Sequence, residues 1–387
     1  MSSSGEYLRL ETIGRRTQSP HNVLVRFITI GGKIVVFPQN ERRQDWVANI
    51  RRNPRINLFG ANRTFAGHAQ LKKVSGLKDP LLGAFTRKYG ENEVRQRYWG
   101  QTRYVEIEIV SASSAEDYVE LYYSDIQAAF DGVAEHYDEH IFGNPMNVWL
   151  RNRSVNYLSK IFKPGEAVLE IGCGTGTETL SLAKLGIRII AVDISPKMLD
   201  VLMRKAKKAG VSDRIVPLHA SANSLKEKLK QVGFDRMDGA YSTYGAINTE
   251  PRLDMLFDTL HSTIKPGGKL VLGVWNKYCL YEILGYSLKL KPSMALARLR
   301  NPVPVGKSRF CITSYAYSIG SLQKYVDHLF KLTKVYGVQI ILPASNLIKY
   351  LPPEPLLGLV KRIEMGLETR YPWNRLGDHF LAVYSRV

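Results

Sequence analysis

The chain has 387 residues, 44% of them hydrophobic and 10% aromatic, which is enough apolar side chain for two packed domains and excludes a disordered polypeptide. Its 54 Lys and Arg outnumber 35 Asp and Glu for a formal charge of +19, favouring nucleic acid, lipid headgroups or an acidic substrate as partner, although a plain solvated basic surface fits equally. No apolar run is long enough to cross a bilayer, the start Met1-Ser2-Ser3-Ser4-Gly5 lacks signal-peptide character, and three scattered cysteines give neither disulfide nor metal-ligand spacing, so a soluble, cytoplasmic protein without a metal is expected.

The first hundred residues read as a small antiparallel sheet. Val23 to Ile30 and Lys33 to Phe37 are β-rich runs separated by Gly31-Gly32, the composition of a two-residue hairpin turn. A short helix follows, with Asp45 as N-cap, Trp46, Val47 and Ile50 on one face, and Asn53-Pro54 as its stop. Arg55 to Phe59, Phe65 to Leu71 and Tyr104 to Val110 are strand-like, the last alternating cleanly, and a helical stretch from Pro80 to Tyr98 precedes it. Such a set fits a barrel.

Two segments are more specific: Thr12-Ile13-Gly14-Arg15-Arg16-Thr17-Gln18-Ser19-Pro20, and Gln44-Asp45-Trp46-Val47-Ala48-Asn49-Ile50-Arg51-Arg52-Asn53-Pro54. They resemble the split-barrel family of deazaflavin-dependent nitroreductases over about residues 8–110. The resemblance implies an F420 site, or FMN as in relatives of that family, around Arg15, Arg16, Thr17 and Ser19. The pattern departs in two places. The helix usual before the first strand is missing, and the loop from Phe37 to Trp46 carries Glu41-Arg42-Arg43 where a glycine-containing segment is usual. A barrel serving only as scaffold or homodimer interface is the alternative.

The small polar stretch Ser111 to Ala115 reads as a linker, giving a split β-barrel over 1–114 and a second domain over 120–387. Strands are expected near 167–171, 188–192, 214–218, 237–242 and 269–275, alternating with helices, then near 332–341 and 379–385. That alternation implies an α/β, Rossmann-like, seven-stranded sheet covered on both faces.

Directly after the apolar run Ala167-Val168-Leu169 comes Glu170-Ile171-Gly172-Cys173-Gly174-Thr175-Gly176, which opens onto a helix-compatible stretch. A buried strand ending in a glycine-rich turn offers main-chain N–H groups to a ligand. Asp193 ends the next strand about twenty residues on, the place of a ribose-binding carboxylate. Pyrophosphate is disfavoured because the dinucleotide rhythm fails at Thr177.

These residues, with Lys265-Pro266-Gly267-Gly268 before the fifth strand, resemble the class I S-adenosylmethionine-dependent methyltransferases over about residues 126–387. The resemblance implies S-adenosylmethionine held by Glu170, Gly172, Cys173, Gly174 and Gly176, its ribose on Asp193 and its adenine beside Ile194. Ser221-Ala222-Asn223 stands where the family often has Asp-Ala for the adenine amino group, and Ser242 lines the methionine side with Tyr241 and Tyr244. Ala129 to Asp138 resembles the family's N-terminal segment, which makes Tyr137 the lid candidate. Cys173 reads as a small turn residue, not a nucleophile.

In-line methyl transfer needs alignment more than proton transfer, so a general base is optional. His140, His261 and Tyr244 are conceivable, but none shows a partner in sequence and the catalytic base stays unassigned. The fourth strand ends Tyr241-Ser242-Thr243-Tyr244 instead of the Asp/Asn-Pro-Pro-aromatic tetrad of amino-methylating nucleic-acid enzymes, and no cysteine suits cytosine chemistry, which disfavours nucleic acid.

Two insertions stand out: 278–309 mixes leucines with Lys289, Lys291, Arg298 and Arg300, and 346–378 carries further leucines with Tyr371-Pro372-Trp373. They are expected to cap a hydrophobic pocket under a basic rim, suited to a small or lipid-like acceptor such as a quinone or isoprenoid, with peripheral membrane contact open. Two other readings stand beside this one: a bifunctional chain whose barrel reduces through F420 or FMN, and an RNA- or anionic-membrane-binding protein with a vestigial cofactor site.

Overall fold

Antiparallel pairing organises the first of two compact units in this computed structural model, which describes residues 7–39, 44–60, 63–76, 79–98, 100–112, 115–234, 236–300, 302–303 and 312–387. In chain order the unit comprises β1 (Leu8–Ile13), β2 (Pro20–Val25), β3 (Phe27–Ile30), β4 (Lys33–Val36), α1 (Asp45–Arg52), β5 (Arg55–Gly60), β6 (Arg63–Lys73), α2 (Pro80–Tyr89), α3 (Glu91–Arg97), β7 (Arg103–Ala112) and α4 (Ala115–Asp131). The sheet order is β2-β1-β5-β6-β7-β4-β3.

The expected hairpin is β3–β4, with Gly31 and Gly32 at φ 60° and 79°, the left-handed pair that the tight turn demands. The run from Val23 to Ile30 is not one strand. It breaks at Arg26 because the first half pairs with β1 and the second with β4. β1, unseen in the sequence, supplies buried Leu8 and Leu10 by alternation. Gln44, not Asp45, is the N-cap of α1, and the Asp45 carboxylate instead meets the Arg15 guanidinium at 2.9 Å. The single helix expected from Pro80 to Tyr98 is split by Gly90 at φ 88°.

Strand alternation gives this sheet two apolar faces. Leu10, Phe27, Ile34, Ile56, Phe65 and Ile107 close on α1 through Trp46, Val47 and Ile50, whereas Ile28, Val35 and Phe37 meet Phe85 and Val94 of α2 and α3. α4 belongs to the same unit, so the boundary expected at Ser111 to Ala115 falls inside it. Leu121 of α4 joins the first of these clusters, and its buried Asp125 pairs with buried Lys88 and accepts the Thr29 N–H. The chain also returns later, Thr313 accepting the Gly31 N–H at 2.6 Å and the Tyr122 hydroxyl at its carbonyl at 3.2 Å. By compactness the chain divides into units of 1–132 with 304–314, and 133–303 with 315–387.

The second unit holds α5 (Tyr137–Phe142), α6 (Pro145–Ile161), β8 (Ala167–Ile171), α7 (Thr177–Lys184), β9 (Arg188–Asp193), α8 (Pro196–Lys208), β10 (Ile215–His219), α9 (Ala222–Gln231) and β11 (Met237–Ser242). It continues with α10 (Ala246–Thr249), α11 (Leu253–Thr263), β12 (Ile264–Trp275), α12 (Leu280–Ser287), α13 (Pro292–Ala295), α14 (Ile319–Val326), β13 (Phe330–Val338), α15 (Leu356–Leu367) and β14 (His379–Arg386). The order is β10-β9-β8-β11-β12-β14-β13, parallel except for β14, which runs antiparallel to both its neighbours. All seven expected strands are present, forming one mixed sheet. The central strands are buried on both faces, as their unbroken apolar runs require: Leu169 and Ile190 pack with Leu256 and Phe257, and Val168 and Ile189 with Leu182 and Leu202.

Candidate functional site

The carboxyl ends of β8 and β9, beside the change of direction in strand order, meet at the glycine turn. Gly172, Gly174 and Gly176 hold φ of 72°, 53° and 82°, all left-handed. Two of them are also packing devices. A Cβ on Gly172 would lie 2.3 Å from the Ala246 Cβ, and one on Gly176 only 2.0 Å from the Leu202 Cδ1. Gly174 differs: a Cβ there would find the Tyr137 Cε1 at 3.7 Å, an ordinary contact, so the middle of the turn lies beside an aromatic ring.

Asp193 is 8% exposed and fixes the turn from the side. Its two carboxylate oxygens accept the Gly174 N–H at 2.8 Å and the Ser195 N–H at 2.9 Å. Those two bonds fix the orientation of the carboxylate beside the turn. Cys173 is buried, its Sγ 3.6 Å from the Gly174 carbonyl, and burial pushes its thiol well above the usual range, so it is an inert turn residue.

Glu170 lies in the floor of the turn, 1% exposed, accepting the Thr179 hydroxyl. Burial first, and the neighbouring Glu178 second, raise it to about 8, so it is mostly protonated at neutral pH. Glu178 is fully buried and paired with Arg151 at 2.6 Å. The Arg151 guanidinium stands 5.2 Å from the centroid of the Tyr244 ring, and Tyr244, itself at φ 46°, donates to the Leu150 carbonyl at 2.9 Å. Burial drives the Tyr244 hydroxyl upward in pKa, which removes it as a general base. His261 packs edge-on to Phe330 of β13, the outer strand, away from the turn. The His140 side chain lies outside the described residues.

The segment carrying Tyr137 is pinned over the turn. Asp138 accepts the Thr175 hydroxyl at 2.5 Å and pairs with Lys205 at 2.6 Å, while Glu135 takes both bonds of the Arg204 guanidinium at 2.6 Å. Tyr137 is raised in pKa by burial, with Arg151 opposing.

On the adenine side, Ile194 is half-buried and its carbonyl lies 3.0 Å from the His219 Nε2. Ser221 caps α9 in a reciprocal box with Ser224, so its hydroxyl serves the helix and leaves Ala222 and Asn223 at the helix start. Ser242 likewise turns inward, donating to the Ile171 carbonyl at 2.9 Å and tying β11 to β8. The structure therefore brings Gly172, Gly174, Gly176, Asp193 and Tyr137 around one turn, with Glu170, Cys173 and Ser242 bonded beside it, whereas Ser221 bonds within the start of α9. Sequence reading missed Arg151, Glu178 and Asp138; a Glu at the start of α7 and an Asp after the lid tyrosine were the available signals.

The insertions depart from expectation. Arg298 is not a rim residue but 4% exposed, held by Glu282 and Asp378, and Asn346 bonds Glu282 at 2.9 Å, which staples both insertions together. Several leucines expected to face a pocket point to solvent, Leu288 at 86% and Leu290 at 89% exposure. In the barrel unit, Arg15 is committed to Asp45, its N–H to Asn49 at 3.0 Å, and the hydroxyls of Thr17 and Ser19 close the β1–β2 turn on itself through His21 and the Thr17 carbonyl. Arg16 remains on the exposed face of that turn. Glu41-Arg42-Arg43 lies outside the described residues. Among the described residues no cluster of three or more His, Cys, Asp or Glu is placed to hold a metal, and no helix is long and apolar enough to cross a membrane.

Comparison with known proteins agrees with both halves. Residues 168–268 match the methyltransferase domain family, and residues 3–108 match the F420H(2)-dependent quinone reductase family. The chain is 36% identical over 109 residues to demethylmenaquinone methyltransferase of Clavibacter sepedonicus, covering 28% of this chain and 40% of that one. It is 31% identical over 104 residues to sterol 4-C-methyltransferase strm-1 of Caenorhabditis elegans, covering 27% and 29%. To tRNA 5-carboxymethoxyuridine methyltransferase of Escherichia coli K12 it is 27% identical over 157 residues, covering 39% and 58%. The chain thus spans less than two thirds of the length of each of these relatives. A stretch that matches the F420H(2)-dependent quinone reductase family thus precedes, in one chain, a stretch that matches the methyltransferase domain family.

Proposed function

We propose that this two-domain chain transfers a methyl group from S-adenosylmethionine to a small, lipid-like acceptor of quinone or isoprenoid type. The observation that carries the reading is the turn of three left-handed glycines, closed below by Glu170 and flanked by Asp193 and Tyr137. Its donor set fits the cofactor: main-chain N–H groups at the start of α7, a carboxylate for the ribose, and an aromatic ring beside Gly174. Bound there, S-adenosylmethionine would supply a methyl on a sulfonium; the C–S bond breaks as the bond to the acceptor forms, and the acceptor loses a proton. Asp193 would orient the sugar, Tyr137 would exclude water, and Glu170, Arg151 and Glu178 would hold the turn in shape. Gly172, Gly174 and Gly176 would give the main chain its close approach.

The acceptor class is supported by the names of two relatives, one acting on demethylmenaquinone and one on a sterol, and by the quinone in the name of the N-terminal family. A nucleic-acid acceptor, as the tRNA relative's name would suggest, is disfavoured by the Tyr241-Ser242-Thr243-Tyr244 strand end. The test is calorimetric titration of the full chain with S-adenosylmethionine and S-adenosylhomocysteine, on wild type and Asp193→Ala. Both ligands should bind wild type, and the variant should lose at least about tenfold, as for a charge-assisted hydrogen-bond acceptor. Absence of binding at high micromolar ligand would overturn the reading.

A second activity rests on the family match at residues 3–108. The barrel would bind F420 and reduce a quinone-like compound of the same class, the deazaflavin supplying hydride. The fit is partial, since Arg15 is already committed to Asp45 and Arg16 is the cation left on that turn's surface. Absorbance and fluorescence titration with F420 tests this; an unchanged spectrum would leave the barrel as scaffold.

A further inference from the structure

The end of α12 and the loop after it expose Leu284, Leu288 and Leu290 to 54, 86 and 89% of their full surface. The loop reads Leu288-Lys289-Leu290-Lys291, so Leu288 and Leu290 each have a lysine beside them. It is not a slack loop. The Leu290 N–H donates to the Ser287 carbonyl at 2.9 Å and the Lys291 N–H returns to the Tyr286 carbonyl at 3.0 Å, closing the helix in a Schellman-type turn. That closure puts Leu290 at φ 54°, a position glycine fills without strain and leucine does not. The strained residue is also the more exposed of the pair, so burial in the fold does not offset the strain.

A second ridge lies on α15. Leu356, Leu359 and Ile363 follow one another at helical spacing and are about half exposed, at 50, 54 and 47%, while Leu357 and Glu364 hold the helix to the fold. The two ridges are joined at Tyr350: the Lys289 Nζ bonds its hydroxyl and stands 3.7 Å from its ring centroid, and the chain runs from Tyr350 straight into α15. From Leu280 to Arg300 the only acid is Glu282, and it is buried on Arg298, so the exposed charges of that stretch, Lys289, Lys291 and Arg300, are all positive. Within α15 Arg362 is exposed and the one acid, Glu364, is buried, while exposed Glu354 just before the helix accepts the Gly358 N–H at 3.2 Å.

We propose that this face docks on an anionic lipid bilayer, the leucines entering the acyl boundary and the lysines meeting lipid phosphates. Apolar side chains ringed by cations suit a headgroup interface, where each part finds its own phase. A second copy of the chain is a poorer occupant because self-contact would set lysines against lysines. The inference stands on the surface alone. It is read without methyl donor or acceptor, so its failure leaves the proposed reaction untouched.

The experiment is cosedimentation of the full chain with phosphatidylcholine vesicles, with and without phosphatidylglycerol. Binding is expected to the mixed vesicles, weakening as salt is raised. Leu288→Ser with Leu290→Ser should weaken partitioning by at least about tenfold, and Lys291→Ala by about fivefold. Leu290→Gly separates docking from folding: it relieves the left-handed strain, so its melting temperature should hold or rise while vesicle binding falls. Three results would overturn the proposal: wild type left in the supernatant with anionic vesicles at low salt, the double serine variant binding like wild type, or sedimentation velocity showing a dimer that the same substitutions abolish.

Discussion

Gly176→Ala tests whether the glycine turn is a packing device as well as a ligand cradle. Two costs add at this position. The residue sits at φ 82°, where an L side chain loses about 1–2 kcal/mol, and the new methyl would lie 2.0 Å from the Leu202 Cδ1, an overlap worth about 1–3 kcal/mol in a packed core. The sum, about 2–5 kcal/mol, should lower the melting temperature by roughly 5–15 °C for a unit of this size. Gly174→Ala is the control. It shares the left-handed backbone, but a Cβ there would find Tyr137 at 3.7 Å, an ordinary contact, so only the first cost applies. Thermal unfolding followed by near-ultraviolet dichroism compares the two, and Leu202→Ala completes a cycle with Gly176→Ala. Because removing the Leu202 side chain removes the clash, the double variant should be less destabilised than the sum of singles by about 1–3 kcal/mol. Strict additivity, or a Gly176→Ala variant no worse than Gly174→Ala, would refute the packing argument.

Glu170 gives a pH dependence with a defined sign. Burial and Glu178 raise it from 4.5 to about 8 in the folded chain, so the folded state keeps a proton that the unfolded state releases in that window. Its contribution is present at low pH and is lost as pH rises toward 8, and Glu170→Gln, always neutral, should flatten the urea midpoint across that range. Arg298→Met should cost about 3–5 kcal/mol in urea unfolding, since it leaves the buried carboxylates of Glu282 and Asp378 without their cation; a shift near zero would mean that the staple contributes nothing. Asp138→Ala removes the bonds to Thr175 and Lys205 that hold the lid segment, and should raise the dissociation constant for S-adenosylmethionine by about fivefold. The melting temperature should barely move, and unchanged affinity would mean that the lid is held by other contacts.

The sequence determined the features whose cause is local. Glycine at 172, 174 and 176 announces left-handed backbone, Gly31-Gly32 announces a hairpin, and the apolar runs at 167–171 and 188–192 can only be strands covered on both faces. That was sufficient for all seven strands of the second sheet and for the turn that receives the proposed cofactor. What it left open depends on neighbours distant in the chain. Ser221 and Ser242 show nothing in sequence of the helix cap of α9 or of the Ile171 carbonyl that their hydroxyls meet in the fold. Arg298 read as a surface cation, and only the fold brings Glu282 and Asp378 to it from either side. The break at Arg26, the attachment of α4 to the barrel and the return of Thr313 to Gly31 are likewise partner choices, settled by long-range pairing. A residue's type fixes what backbone it tolerates and what bonds it can make. Which of those bonds it does make, and whether a leucine ends in the core or at 89% exposure in a strained turn, is decided by the tertiary packing around it.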